Sequence, residues 1–181
     1  MIMTSGLRKF ALSVHLTASV GWIGAVVAYL ALGVTAATTP DTETVRATWI
    51  AMELTGWYVI VPLAVTSLLT GLVMALGTQW GLFRHYWVVF SLVLTLLAVS
   101  VLVEHMSSHV SLMANMARAA DARQLVGGFG GDLLHPGIGL LVLLVIQVLN
   151  VYKPRGLTPY GWRKQHEERP SKRSPHKGLP A

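Results

Sequence analysis

The chain has 181 residues, 53% of them hydrophobic and 12% charged, with a mean hydropathy of +0.56, which is too apolar for an ordinary water-soluble domain and points to a bilayer as its solvent. It has no cysteine, which excludes disulfides, iron–sulfur clusters and thiolate metal sites and leaves His, Met, carboxylate or backbone groups to hold any metal or haem. The net charge is +6, but eight of the fourteen Lys and Arg residues follow Tyr152, so the basicity belongs to a tail and no nucleic-acid partner is expected.

Four segments, at about 10–34, 48–76, 86–106 and 133–152, approach or exceed the ~20 apolar residues that cross a hydrocarbon core. In an open chain only helices can do this. The expected fold class is therefore all-α: an integral-membrane four-helix bundle over residues 1–152 with antiparallel neighbours. Residues 153–181 are Pro-rich, basic and aliphatic-poor, which predicts a disordered tail.

In chain order, the first span follows Arg8 and Lys9, and its apolar run is about twice the ~7–15 residues of a signal-peptide core, so it reads as a retained helix. At ~100° per residue Thr17, Gly21, Gly24 and Ala28 fall on one face and predict a close-packing ridge. His15 lies roughly 9 Å above Lys9 along the helix. In hydrocarbon it needs an interhelical hydrogen bond to a Ser, Thr or carbonyl, or a metal to ligate.

The second span carries a stripe of Glu53, Gly56, Trp57, Ile60, Ala64, Ser67 and Gly71, with Pro62 predicting a kink. Glu53 is an ionisable residue on an interior face, hence a functional candidate. The third span follows a loop whose Trp80, Tyr86 and Trp87 suit a membrane interface, with His85 beside them as a headgroup contact. Its face of Ser91, Thr95, Ala98, His105 and His109 continues past the end of the span, while Glu104 points away. A loop over 107–132 with Met113, Met116 and the sequence GGFGGD is expected next. The fourth span has Pro136 in its first turn and aligns His135, Gly139, Val142, Ile146 and Asn150.

Arg8, Lys9, Arg84 and the tail from Lys153 flank one side, and loops of mixed charge at 35–47 and 107–132 flank the other. The positive-inside rule then puts both termini in the cytoplasm. Histidines fall in two layers, His15 in the inner half and His105, His109 and His135 with Glu53 at the outer end. The outer group has the chemistry of a zinc or copper site, with Met106, Met113 and Met116 favouring Cu(I) if they converge. Haem b is the other cofactor expected, on His15, or on His105 or His109 with His135 or a small ligand across the iron. Without a cofactor the outer residues are the polar end of an emerging helix, and the methionines are packing residues.

The first helix, LRKFALSVHLTASVGWIGAVVAYL, resembles that of HemJ-type protoporphyrinogen oxidases and of the copper-resistance D membrane domain, in which a histidine is followed seven residues later by Trp and a small pair. Here these are His15, Trp22, Gly24 and Ala25. The resemblance implies a haem ligand at His15. Ser91 stands about where that family has a third-helix lysine, and there is no lysine between Lys9 and Lys153. The stretches WGLFRHYWVVFSLVLTLLAVSVLVEHM and VYKPRGLTPYGWRKQ resemble a family of small four-helix actinobacterial membrane proteins of unknown function, which implies the fold and no activity.

The expectation is a redox or sensory membrane protein that binds haem b or a transition metal, and a membrane oxidoreductase if it is an enzyme. The alternatives are a scaffold, assembly factor or transporter subunit without cofactor, and copper or zinc transport by an oligomer. Expected partners are the lipid bilayer, a second copy of the chain, and anionic lipid or a cytoplasmic protein at the basic tail. No nucleophile–base arrangement, phosphate loop or HExxH motif supports a hydrolase or ATPase.

Overall fold

The structure, a computed structural model, describes residues 3–78, 80–119 and 133–167. Every regular element among them is helical. Four helices, α1 (Ser5–Thr38), α2 (Thr42–Gly77), α3 (Tyr86–Arg118) and α4 (Leu134–Tyr152), are each long and apolar enough to cross a membrane. A short helix, α5 (Pro159–Glu167), follows. Large apolar side chains such as Phe10, Leu69, Phe90, Leu97 and Leu141 are exposed along the spans. A soluble monomer does not leave so much apolar surface bare, and a multi-pass membrane protein presents it to lipid.

The four long helices form a closed ring of contacts: α1 on α2, α2 on α3, α3 on α4, and α4 back on α1. The Met3 N–H donates to the Gly77 carbonyl at 3.2 Å, so the start of α1, the α2–α3 turn and the end of α4 share one end, called here the near end. The far end holds the α1–α2 turn and the last turns of α3.

α1, α2 and α3 have 34, 36 and 33 residues, about 50 Å at 1.5 Å per residue against ~30 Å of hydrocarbon. Sequence reading started the second span near 48 and ended the third at 106. Both helices run further because the residues beyond those limits are amphipathic and face each other. Val45, Trp49 and Met52 of α2 pack with Val110, Met113 and Ala117 of α3 in one core with Trp22, Val26 and Tyr29 of α1. The polar residues that read as loop cover the outside of this cluster. Of the most deeply buried large side chains, Trp49, Met52, Met106, Val45 and Val110 lie toward the far end and Ile60 lies at the middle of α2.

α2 and α3 each contain one π-helical turn, Gly56–Ile60 and Met106–Val110. The Val61 N–H reaches the Gly56 carbonyl and the Ser111 N–H the Met106 carbonyl, each one residue further back than in an α-helix. The expected irregularity at Pro62 is the first of these turns. Proline has no N–H for the carbonyl four residues back, and its ring crowds that carbonyl. The two turns meet: a Cβ on Gly56 would overlap the sulfur and methyl of Met106, and Trp57 Nε1 donates to Ser111 Oγ at 3.1 Å.

Two expectations are corrected. The ridge on α1 is not the packed face: Thr17, Gly24 and Ala28 are exposed and Gly21 is half-buried. The buried face is Ala11, Ala18, Trp22, Val26, Tyr29, Gly33 and Ala36, about 120° away at 100° per residue. Burying Trp22 and Tyr29 removes far more apolar area from its surroundings than burying glycines, and that sets the rotation of α1.

The tail is also ordered as far as Glu167; residues 168–181 and the glycine-rich stretch at 127–132 lie outside the described residues. What orders it is backbone pairing and not aliphatic burial. The Tyr86 N–H donates to the Gly156 carbonyl at 3.3 Å and the Thr158 N–H to the Arg84 carbonyl at 3.0 Å. Thr158 Oγ1 donates to the Phe83 carbonyl and accepts the Gly161 N–H, capping α5 with Pro159 in the first turn. Gly161 lies so close to Arg84 that a Cβ there would overlap its carbonyl.

Gly161→Ala is therefore expected to undock α5. Losing the cap and dock, at about 1–2 kcal/mol, exposes Arg163 and Lys164 to trypsin several-fold faster while thermal unfolding of the four long helices barely moves; cleavage at the wild-type rate would exclude this docking.

At the far end Asp41 caps α2, accepting the Thr44 N–H at 2.9 Å and the Thr44 hydroxyl. Its carboxyl is held below the usual carboxylate range, first by the Thr44 side chain and then by the Thr44 backbone. A lowered folded pKa stabilises the cap above the unfolded value of ~3.9, and the contribution fades as pH falls through the folded value. Hydrogen exchange at the Thr44 amide is expected to accelerate relative to its intrinsic rate below about pH 4, and Asp41→Asn, which still caps, should remove that pH dependence.

Candidate functional sites: an interior cavity and a histidine stack

Toward the near end the helices separate around a cavity of about 410 Å³, lined by α1, α2, α3 and α4. Its wall is apolar, with Trp22, Leu143 and Ile146, and is interrupted by His15, Ser19, Ser67, Ser91, Gln147 and Asn150; Trp80, Trp87 and Lys153 also line it. Its size lies within the ~300–1,000 Å³ typical of ligand sites.

His15 is half-buried. Its Nδ1 lies 3.1 Å from the Ser67 carbonyl and 3.1 Å from Thr70 Oγ1. A carbonyl only accepts, so Nδ1 carries the hydrogen, and Nε2 is left with the lone pair. Thr70 donates its own hydrogen to the Thr66 carbonyl at 2.6 Å, which leaves its oxygen free to accept from the ring. Beside them Ser19 Oγ and Ser67 Oγ lie 2.8 Å apart. Across the cavity Ser91 donates to Asn150 Oδ1 at 3.1 Å. The hydrogen bond foreseen for a membrane-embedded His15 is thus present.

The far end brings three of the expected ligands together. The His105 ring stacks on His135 at 4.4 Å between centroids and 13° between planes, and on His109 at 5.3 Å and 23°. Trp49 meets His109 edge-on at 6.1 Å. Nearly parallel rings aim their in-plane lone pairs side by side and not at a common point, and face-to-face contact leaves no room for a porphyrin between His105 and His135. Among the described residues no group of three or more His, Cys, Asp or Glu is placed to hold a metal ion.

Glu53 does not join the stack. It pairs with Arg118, which also donates to Asn115 Oδ1 at 3.1 Å. The expected shell of His105, His109, His135 and Glu53 is therefore not assembled: the guanidinium of Arg118, twelve residues beyond the end of the predicted span, takes the carboxylate. Met106 and Met113 are buried in the core, with Met116 packed against it, as packing residues do. Glu104 is exposed, as its helical phase predicts.

His85 is tied into the α2–α3 turn, its Nδ1 lying 2.8 Å from the Trp80 carbonyl. Sequence reading missed Ser19, Thr70, Gln147 and Lys153. Ser19 and Thr70 carry a signal in their spacing, four residues after His15 and three after Ser67, which stacks polar groups on one face. No family model, curated protein or solved structure matches the chain, so function is argued from the sites themselves.

The Glu53 side chain is 15% exposed and that of Arg118 43%. Arg118→Met is expected to cost about 1–2 kcal/mol, because it leaves a mostly buried carboxylate without its cation. Adding Glu53→Leu should recover part of that loss; strictly additive losses in thermal unfolding would mean that the pair does not act as a unit.

Proposed function

We propose that the protein is a four-helix bundle of a bacterial inner membrane, with both termini cytoplasmic, whose near-end cavity binds haem b through His15 in a redox or sensory role. One observation carries this reading: the Ser67 carbonyl fixes the hydrogen on Nδ1 of His15, which leaves the lone pair for ligation on Nε2, and His15 lines a mainly apolar cavity. Haem-ligating and metal-ligating histidines are commonly oriented by such a bond, which also raises their basicity. The topology is supported by the excess of cations at the near end, Arg8, Lys9, Arg84, Lys153 and Arg155, over those described toward the far end, Arg46 and Arg118.

When bound, haem supplies one-electron transfer or capture of a small ligand at its open face. The chain's own residues do the rest. Ser67 and Thr70 hold the imidazole ring, Ser19 ties α1 to α2 beside it, and the Ser91–Asn150 bond closes the opposite wall. Trp22, Leu143 and Ile146 give the interior an apolar surface.

A second reading is a scaffold without cofactor. It is favoured by the same His15 contacts, since bonds to Ser67 and Thr70 already make the ring a polar tie between α1 and α2. Absorption spectra separate the two. Protein purified from haem-replete cells, or reconstituted with haemin, should show a Soret band that His15→Ala abolishes and the double change His105→Ala, His109→Ala leaves intact. With no band in the wild type the haem reading fails; a band indifferent to His15→Ala removes His15 as its ligand.

A further inference from the structure

The cavity holds one charged side chain, Lys153, among its lining residues, and that lysine sits where a glycine is the ordinary choice. Lys153 ends α4 at φ 45° and ψ 62°, its N–H closing the last turn on the Leu149 carbonyl. It is the only non-glycine residue with positive φ among the described residues. The left-handed conformation at a helix end favours glycine, which has no Cβ to crowd the backbone. Pro154 follows, and residues before proline are biased to extended backbone. Two local preferences therefore disfavour lysine in this conformation. Strain of this kind is retained where a side chain serves a site.

What the side chain does there follows from its surroundings. Nζ lies 5.2 Å from the centre of the Trp80 ring, and Trp80 itself lines the cavity. Lys153 is exposed, so it stands at the cavity mouth and not in its depth. Among the described residues no carboxylate lies within ion-pair distance of it, and the cavity lining contains no acidic residue. A cation held over an aromatic face at the rim of an apolar chamber matches a ligand with an apolar body and an anionic head.

We propose that the cavity takes a carboxylate-headed amphiphile, its head paired with Lys153 and its apolar body extending past Trp80 and Trp87 toward His15. This rests on reading the cavity as a ligand site. Haem with its propionates and a long-chain fatty acid share this chemistry.

The test uses the full chain in nanodiscs of phosphatidylcholine, which adds no net charge, with quenching of tryptophan fluorescence as the binding signal. Two probe pairs differ only in the head: haemin against its dimethyl ester, and oleate against oleyl alcohol. Lys153→Gly should weaken binding of the acid probes about three- to fivefold, as expected for one partly solvated ion pair, and leave the neutral probes unchanged. The same variant should unfold at an equal or higher temperature than the wild type, because glycine relieves the strained turn. Lys153→Arg should keep acid binding within about twofold, since the charge is retained. Whichever acid binds more tightly identifies the source of the carboxylate.

The inference is overturned if Lys153→Gly binds acid and neutral probes as the wild type does, or loses both equally. Wild-type protein that binds none of the four probes overturns the cavity reading and this inference with it. Binding of both members of a pair with equal affinity removes the role of Lys153 and leaves the cavity reading standing.

Discussion

The side chain of Met106 lies against the backbone of Gly56, and much of the structure depends on that contact. It joins the two π turns, and each turn shifts the helical phase of everything beyond it by one residue. On the far side the phase aims Trp49, Met52, Val110 and Met113 into one core. On the near side α2 presents Ile60, Ala64 and Ser67 to the interior. Without Cβ at position 56 the helices approach closely at this level, and Trp57 adds a hydrogen bond across to Ser111.

The near half of the ring of helices is correspondingly open. Many of its buried residues are small or polar, namely Ala11, Ala18, Ala64, Ser67 and Ser91, beside the larger Val88, Leu143 and Ile146. Small side chains at the helix contacts leave the 410 Å³ chamber unfilled. Polar groups facing an apolar chamber must find partners, because an unsatisfied hydroxyl or imidazole there costs several kcal/mol. The hydrogen bonds of His15, Ser19, Ser67, Ser91 and Asn150 meet that requirement and tie α1 to α2 and α3 to α4 across the chamber walls. The same bonds that stabilise the walls set the ring tautomer of His15.

The spans were legible in the sequence because hydrocarbon leaves the backbone no alternative to helix, and long apolar runs report that directly. The interior phase of α2 and the outward direction of Glu104 were legible too, since both follow from about 100° per residue. Three things were not. The rotation of α1 was misjudged because a glycine ridge carries the spacing of a packing face, while Trp22 and Tyr29 carry the area. The far extensions of α2 and α3 were read as loops because each is half polar, and only the partner helix shows that its apolar half is buried. Docking of α5 depends on backbone carbonyls of Phe83 and Arg84, which no side-chain pattern announces.

The far-end histidines show where spacing stops being informative. A pair four residues apart on one helix, with a third from a neighbour, fits a metal site and an aromatic stack equally well on paper. Ring orientation separates them: at 13° and 23° between planes the three imidazoles contact through their faces, as aromatic side chains do in a core. Glu53 could have altered this by bonding a ring nitrogen and turning its plane. Arg118, carried to the same level by the continuation of α3, holds that carboxylate instead. The length of one helix thus decides the chemistry at its end, while His15, toward the other end of the bundle, lines the cavity with its Nδ1 held by α2.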